Sequence, residues 1–175
     1  NELSALWRFI LEANDRPCAL ILTRQNLPTV DRDKYASFGD AGKGAYILAD
    51  SEGTPDIILL STGSEIAICM EAYGILKNDS HNPRVVSMPC WSLFERQPAE
   101  YRNKILPKEA KARIAIEAAS PFGWERYTGD GGAILGLNRF GASAPYERLY
   151  QKFGLTVDRL IDEAKSAIKR TKDNV

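Results

Sequence analysis

From Ala45 onward, short unbroken apolar runs alternate with longer stretches in which apolar residues recur every three or four positions. The runs "AYILAD" (45–50), "DIILLST" (56–62), "RVVSM" (84–88), "ARIAIEA" (112–118) and "GGAILGL" (131–137) predict strands. Between and after them, the spacing predicts a helix from Glu65, with Ile66, Cys69, Met70, Tyr73 and Leu76 on one face. A polar helix follows around 98–105, and "GWERYTGD" (123–130) starts a helix or turn. Two helices near 145–153 and 156–170 close the chain, the second showing Val157, Leu160, Ile161, Ala164 and Ile168 on one face. Unbroken apolar strands are buried on both sides, so the expected fold is α/β: three layers, a mostly parallel (mixed) sheet with helices on both faces.

The first 44 residues read differently. "NELSALWRFILEAN" places Leu3, Leu6, Trp7, Ile10 and Leu11 at helical spacing. Asn14-Asp15-Arg16-Pro17 breaks that helix, and "CALILT" (18–23) predicts a short strand. Residues 25–44 hold no period and carry Pro, Gly and mixed charge, the pattern of a linker between domains. A helix already under way at Asn1, followed by a strand and a linker, is expected of a piece of a longer protein whose preceding domain ends here.

Composition narrows the function classes. Apolar residues make up 44% and charged residues 26% of 175, as in a globular domain with a real core. Lys+Arg and Asp+Glu balance at 23 each, so no net field draws in nucleic acid or an anionic membrane surface. No run of apolar residues is long enough to span a bilayer, and no signal peptide opens the chain. Cys18, Cys69 and Cys90 are widely spaced and form no metal-ligand pattern, and two sit in apolar runs, which reads as buried, reduced thiols in a cytoplasmic setting.

The glycine turn after the second predicted strand is the first candidate for phosphate binding. It lacks the lysine of a P-loop and the three spaced glycines of a dinucleotide fingerprint. Thr62-Gly-Ser-Glu65 instead fits a capping box, with Thr62 accepting from the Glu65 amide and Glu65 reaching back to the Thr62 amide. The single histidine, His81, sits in the polar loop "NDSHNP", where a surface position is expected, and no Gly-x-Ser-x-Gly elbow is present. Glu117 ends an apolar strand, where open α/β sheets present ligand crevices; a paired structural carboxylate fits that position equally well. Arg24 ends "CALILTR" and delivers a permanently charged, planar donor fork to a strand end. Pattern alone leaves phosphate binding and a salt bridge evenly matched for it.

The stretch "LTRQNLP" (22–28) resembles the strand-end motif of transketolases, with Thr23 in place of the commoner serine. Similar segments follow in family order: "GKGAYIL", "PDIILLSTGSE", "RVVSMPCWSLFERQPAEYRNKILP", "ARIAIEA", "RFGASAP" and "FGLTVDRL". Together they cover Pro17 to Ile168 and resemble the C-terminal portion of a transketolase. The resemblance implies a transketolase C-terminal-domain-like fold for 45–170, with 1–30 as the last helix and strand of a pyrimidine-binding domain, 31–44 as linker and 171–175 as a polar tail. It implies an enzyme that moves a two-carbon ketol unit between sugar phosphates with thiamine diphosphate and Mg2+ (or Ca2+), as a cytoplasmic homodimer.

On the same resemblance Arg24 grips the substrate phosphate, while no catalytic, cofactor-binding or metal-binding residue falls in this chain. The one Gly-Asp-Gly, at 129–131, is followed only by Asn138 and Asn174, neither at the family's cation-binding distance, so a glycine-rich turn is expected there. The remaining N-terminal domains would be its partners, and the piece alone would be inactive. Alternatives are the C-terminal domain of a 1-deoxyxylulose-phosphate synthase or 2-oxoacid dehydrogenase β chain, or a non-catalytic ligand-sensing domain; "LTRQNLP…GKGAYIL" favours transketolase over the two enzymes.

Overall fold

The computed structural model describes residues 2–173. Its strands are β1 (Tyr46–Ala49), β2 (Ile57–Ser61), β3 (Pro83–Ser87), β4 (Arg113–Ile116) and β5 (Ala133–Leu135). They form one sheet in the order β1-β3-β2-β4-β5. β1 runs antiparallel to β3, and the other neighbours pair in parallel. This is the mixed, mostly parallel sheet expected from the apolar runs.

Side chains alternate across the sheet and feed two cores. Ile57 and Leu59 join Val85, Ile114, Ile116 and residues of α2 (Ile66–Asn78) and α7 (Val157–Asp173) on one face. Ile58 and Leu60 join Val86, Met88, Ala115 and residues of α3 (Trp91–Glu95), α4 (Ala99–Ile105) and α5 (Glu125–Thr128) on the other. Ile57, Ile58, Leu59 and Leu60 are all fully buried. Each contributes about 1.5–3 kcal/mol of burial, which explains why β2 carries no polar position before Ser61. The short helix α3, just past Pro89, is not legible in the sequence pattern. Helix α6 (Tyr146–Phe153) lays Tyr150 and Phe153 against the first core. α7 runs to Asp173, into the stretch expected as a polar tail; Asn174 and Val175 lie outside the described residues.

Helix α1 (Glu2–Glu12) forms as its spacing predicts but buries none of its residues fully. Ala5 and Leu6 rest on the first core, and the Glu2 carboxylate accepts from the Tyr46 hydroxyl at 2.8 Å and the Ser87 hydroxyl at 2.7 Å. Leu3, Trp7 and Leu11 stay exposed.

The strand expected at 18–23 does not form. A strand exists only through ladder hydrogen bonds to a neighbour, and no strand of this sheet borders that segment. Ile21 is 94% exposed and Leu22 57%, and Cys18, expected to be buried in this run, is exposed with them, whereas Cys69 is buried in the core. The 31–44 stretch, expected as a linker, lies along the domain: Tyr35 and Phe38 pack on the first core, the Ala36 amide donates to the Leu48 carbonyl at 3.1 Å, and a 3-10 turn spans Phe38–Lys43. Among the described residues no helix is long and apolar enough to cross a membrane.

Candidate functional site

Strand order determines where a crevice opens. The chain leaves β2 for α2 on one face of the sheet, crosses back into β3, and then reaches β4 on the other side of β2. The connections after β2 and β4 therefore diverge to opposite faces, and ligand crevices of open α/β sheets form at such a point, outside the carboxyl ends of the strands. Ser61 pairs with Ile116 at the top of the two strands, so the loops beginning at Thr62 and Glu117 stand side by side.

A cleft of about 1470 Å³ lies above this point, walled by the 19–32 segment, the start of α2, the β3–α3 loop and α6. It exceeds the roughly 300–1,000 Å³ of an enclosed small-molecule pocket, so it is a trough open to solvent.

Glu65 is buried at its floor, 1% exposed. The capping box expected at Thr62–Glu65 is absent: neither side chain caps a backbone amide. A 3-10 turn over Gly63–Glu65, entered with Gly63 at φ +58°, starts the helix instead and turns the glutamate away from its own amides. Its Oε1 accepts from the Ser64 hydroxyl at 2.7 Å and from the Tyr150 hydroxyl. Two hydroxyls thus do for the buried carboxylate what the backbone amides would have done.

Glu117 follows β4 and lines the same cleft, half-buried, its amide donating to the Leu135 carbonyl at 2.9 Å. Burial first, and the Glu65 charge second, push its carboxyl up to about 8. Burial and then Glu65 also push the Tyr150 hydroxyl up to about 12, and the same two causes raise the Cys69 thiol. Of the two readings the sequence left open for Glu117, the crevice position is the one observed.

Arg24 is exposed and forms no ion pair or hydrogen bond with the described residues. The salt bridge that pattern reading allowed is therefore not made here. Thr23 and Gln25 line the cleft while Arg24 does not. The Thr23 hydroxyl donates to the Gln25 side-chain oxygen, and the Gln25 side-chain nitrogen donates to the Tyr150 hydroxyl at 3.4 Å.

The candidates with weaker sequence support lie elsewhere. His81 Nδ1 is 3.5 Å from an Asp56 carboxylate oxygen, in the loops before β2 and β3, at the amino ends of the parallel strands and so opposite the cleft. Gly129-Asp130-Gly131 precedes β5 at that same end of the sheet. A Cβ on Gly131 would come within 2.8 Å of Thr171, and one on Gly132 within 2.3 Å of the Arg113 carbonyl, so close packing explains these two glycines, while Gly129 is explained by its φ of +64°.

Thiamine diphosphate needs a hard cation held by oxygen ligands. Among the described residues no group of three or more His, Cys, Asp or Glu side chains could hold a metal ion. The described residues thus gather no set of acidic ligands that would fit the cation.

Tyr150, Gln25 and the inward role of Glu65 were not singled out from sequence. Gln25 lies inside the "LTRQNLP" motif, and Tyr150 follows Tyr146 at helical spacing, but nothing in either pattern says that they meet.

The family model described as "Transketolase-like TK C-terminal domain" matches residues 44–156. A transketolase of Halalkalibacterium halodurans is 43% identical over 169 residues, covering 97% of this chain and 25% of the relative. A transketolase of Bacillus subtilis is 42% identical over 171 residues, covering 97% and 26%. The chain thus spans about a quarter of the length of the curated relatives it matches. Among solved structures, Pichia stipitis transketolase in complex with sedoheptulose-7-phosphate superposes with a TM-score of 0.88 at 33% identity, covering 99% of this chain and 24% of that one. These three relatives are transketolases, which favours that family over the synthase and dehydrogenase alternatives.

Proposed function

This chain belongs to the transketolase family, and on that premise we propose that it is the C-terminal part of a thiamine-diphosphate-dependent enzyme. The intact protein transfers a two-carbon ketol unit between sugar phosphates of the pentose phosphate pathway, as a cytoplasmic homodimer. Residues 1–30 complete a pyrimidine-binding domain, 31–44 connect it, and 45–170 form the C-terminal domain. Thiamine diphosphate and Mg2+ (or Ca2+) belong to the N-terminal domains. The observation that carries this reading is the match to transketolases along 97% of the chain.

Arg24 is this chain's contribution to substrate binding. Its guanidinium is exposed and unpaired among the described residues, so it is available to an incoming phosphate dianion. A planar fork accepts two phosphate oxygens at once and keeps its charge at every physiological pH. Gripping the phosphate, far from the reacting carbonyl, uses remote binding energy to hold the sugar in one orientation. Removing a charge-assisted pair worth about 1.5–3 kcal/mol in the intact protein raises KM by about tenfold or more. Steady-state kinetics of Arg24→Ala with phosphorylated sugars tests this, alongside titration of thiamine diphosphate. The expected result is a raised KM with cofactor affinity unchanged; an unaltered KM removes Arg24 from the substrate site.

A further inference from the structure

Arg24 sits on a segment with little backbone support. Residues 18–28 form no backbone hydrogen bond to the sheet among the described residues. Yet the residues on either side of it are tied together and to the cleft. The Thr23 hydroxyl donates to the Gln25 amide oxygen, and the Gln25 amide nitrogen donates to the Tyr150 oxygen at 3.4 Å. The Tyr150 hydroxyl donates to Glu65 Oε1, which also accepts from Ser64 at 2.7 Å.

Each polarity in this row is dictated by its end. A carboxylate only accepts, so the single phenol proton goes to Glu65 and the phenol lone pairs face the Gln25 amide. That fixes which end of the amide points inward and leaves its oxygen for Thr23. The terminus is rigid: Glu65 is buried, and the Tyr150 ring packs edge-on against Tyr146 with centroids 5.7 Å apart on a helix seated on the core. Burial and then Glu65 push the phenol further up, to about 12, so it stays a donor well above neutral pH.

Resting on the reading of Arg24 given above, we propose that Tyr150 is a positioning residue for it: the Tyr150 hydroxyl, held by Glu65, clamps Gln25 and so sets where the phosphate-binding guanidinium stands. The C-terminal domain, which brings no cofactor ligand, thereby acts on substrate affinity through a side chain 125 residues from the segment it holds.

The test uses the intact protein with Tyr150→Phe, which keeps the ring, and Gln25→Ala, which leaves the domain core untouched. KM and kcat are read with a phosphorylated sugar acceptor and with a small unphosphorylated hydroxyaldehyde, next to Arg24→Ala. Hydrogen exchange of residues 18–28 is followed in parallel. Loss of one hydrogen bond predicts a KM for the phosphorylated acceptor about 3- to 10-fold higher in both variants, with kcat within about twofold. The unphosphorylated acceptor is unaffected, and 18–28 exchanges faster. If Arg24→Ala raises KM but Tyr150→Phe and Gln25→Ala do not, the clamp is overturned and the role of Arg24 stands. Equal losses with both acceptors overturn the clamp in favour of a general structural effect. If Arg24→Ala leaves KM unchanged, the role of Arg24 and the clamp built on it both fall.

Discussion

Glu117 shares the floor of the cleft with Glu65, and the charge of Glu65 adds to burial in holding the Glu117 proton to about pH 8. The two reach this juxtaposition because β2 and β4 are parallel neighbours whose following loops begin at the same height. Glu65 accepts at Oε1 from both Ser64 and Tyr150. No described side chain donates to Glu117. One carboxyl is solvated by hydroxyls, and the other remains protonated in preference to ionising beside it.

That difference makes stability depend on pH with a defined sign. The folded value, about 8, lies above the 4.5 of an ordinary glutamate, so the folded state binds the proton more tightly. The stabilisation is complete below about pH 4.5 and is lost as pH rises through about 8. Urea denaturation of the chain at pH 6 and pH 9 should show a fall that Glu117→Gln lacks. At pH 9 the variant should be more stable by about 1–2 kcal/mol, less than the full shift implies because the group is partly open to water. Equal pH slopes in the two proteins would contradict the assignment.

Gly44 predicts a cost of another kind. It has φ +89°, and a Cβ there would lie 2.2 Å from the Cys90 carbonyl oxygen and 2.3 Å from the Phe94 amide nitrogen. Its own carbonyl accepts from the Cys90 amide at 3.0 Å, so the entry to β1 and the start of α3 are packed backbone to backbone. Gly44→Ala must move one of them and also adopts an unfavourable dihedral. The expected loss is on the order of 2 kcal/mol or more, read as a lower urea midpoint with an unchanged slope. A loss under about 0.5 kcal/mol would mean the contact relaxes freely.

The sheet was legible because a strand buried on both faces leaves an unbroken apolar run, and 57–61 is the clearest case. The same signal misled at 18–23, since an apolar run records a preference for burial and not the presence of a neighbour to pair with. Glu65 was misread for a related reason. Thr-x-x-Glu spacing is local and reads as a cap, whereas the partner that turned the glutamate inward, Tyr150, comes from 85 residues away. Arg24 is proposed through the order of motifs around it. The hydrogen bond from its neighbour Gln25 to Tyr150 was not legible, because a contact between distant side chains leaves no periodicity.

The incomplete fit of this chain to a cofactor leads to the last prediction. The described residues group no three metal-ligating side chains, and the only Gly-Asp-Gly stands before β5 at the end of the sheet away from the cleft, Gly131 required by packing and Gly129 by its φ of +64°. Diphosphate binding with a hard cation needs several oxygen ligands converging on one point. The cleft offers Glu65 and Glu117 instead, and the charge of Glu65 would oppose a diphosphate. Calorimetric titration of the 175-residue chain with thiamine diphosphate and excess Mg2+ should therefore give no saturable heat, and mixtures with sugar phosphates no turnover. The same titration on the intact protein should saturate. Stoichiometric, Mg2+-dependent binding to the short chain would mean that its own residues build a diphosphate site. The division of labour would then reverse, with the C-terminal domain holding the coenzyme rather than shaping the grip on substrate.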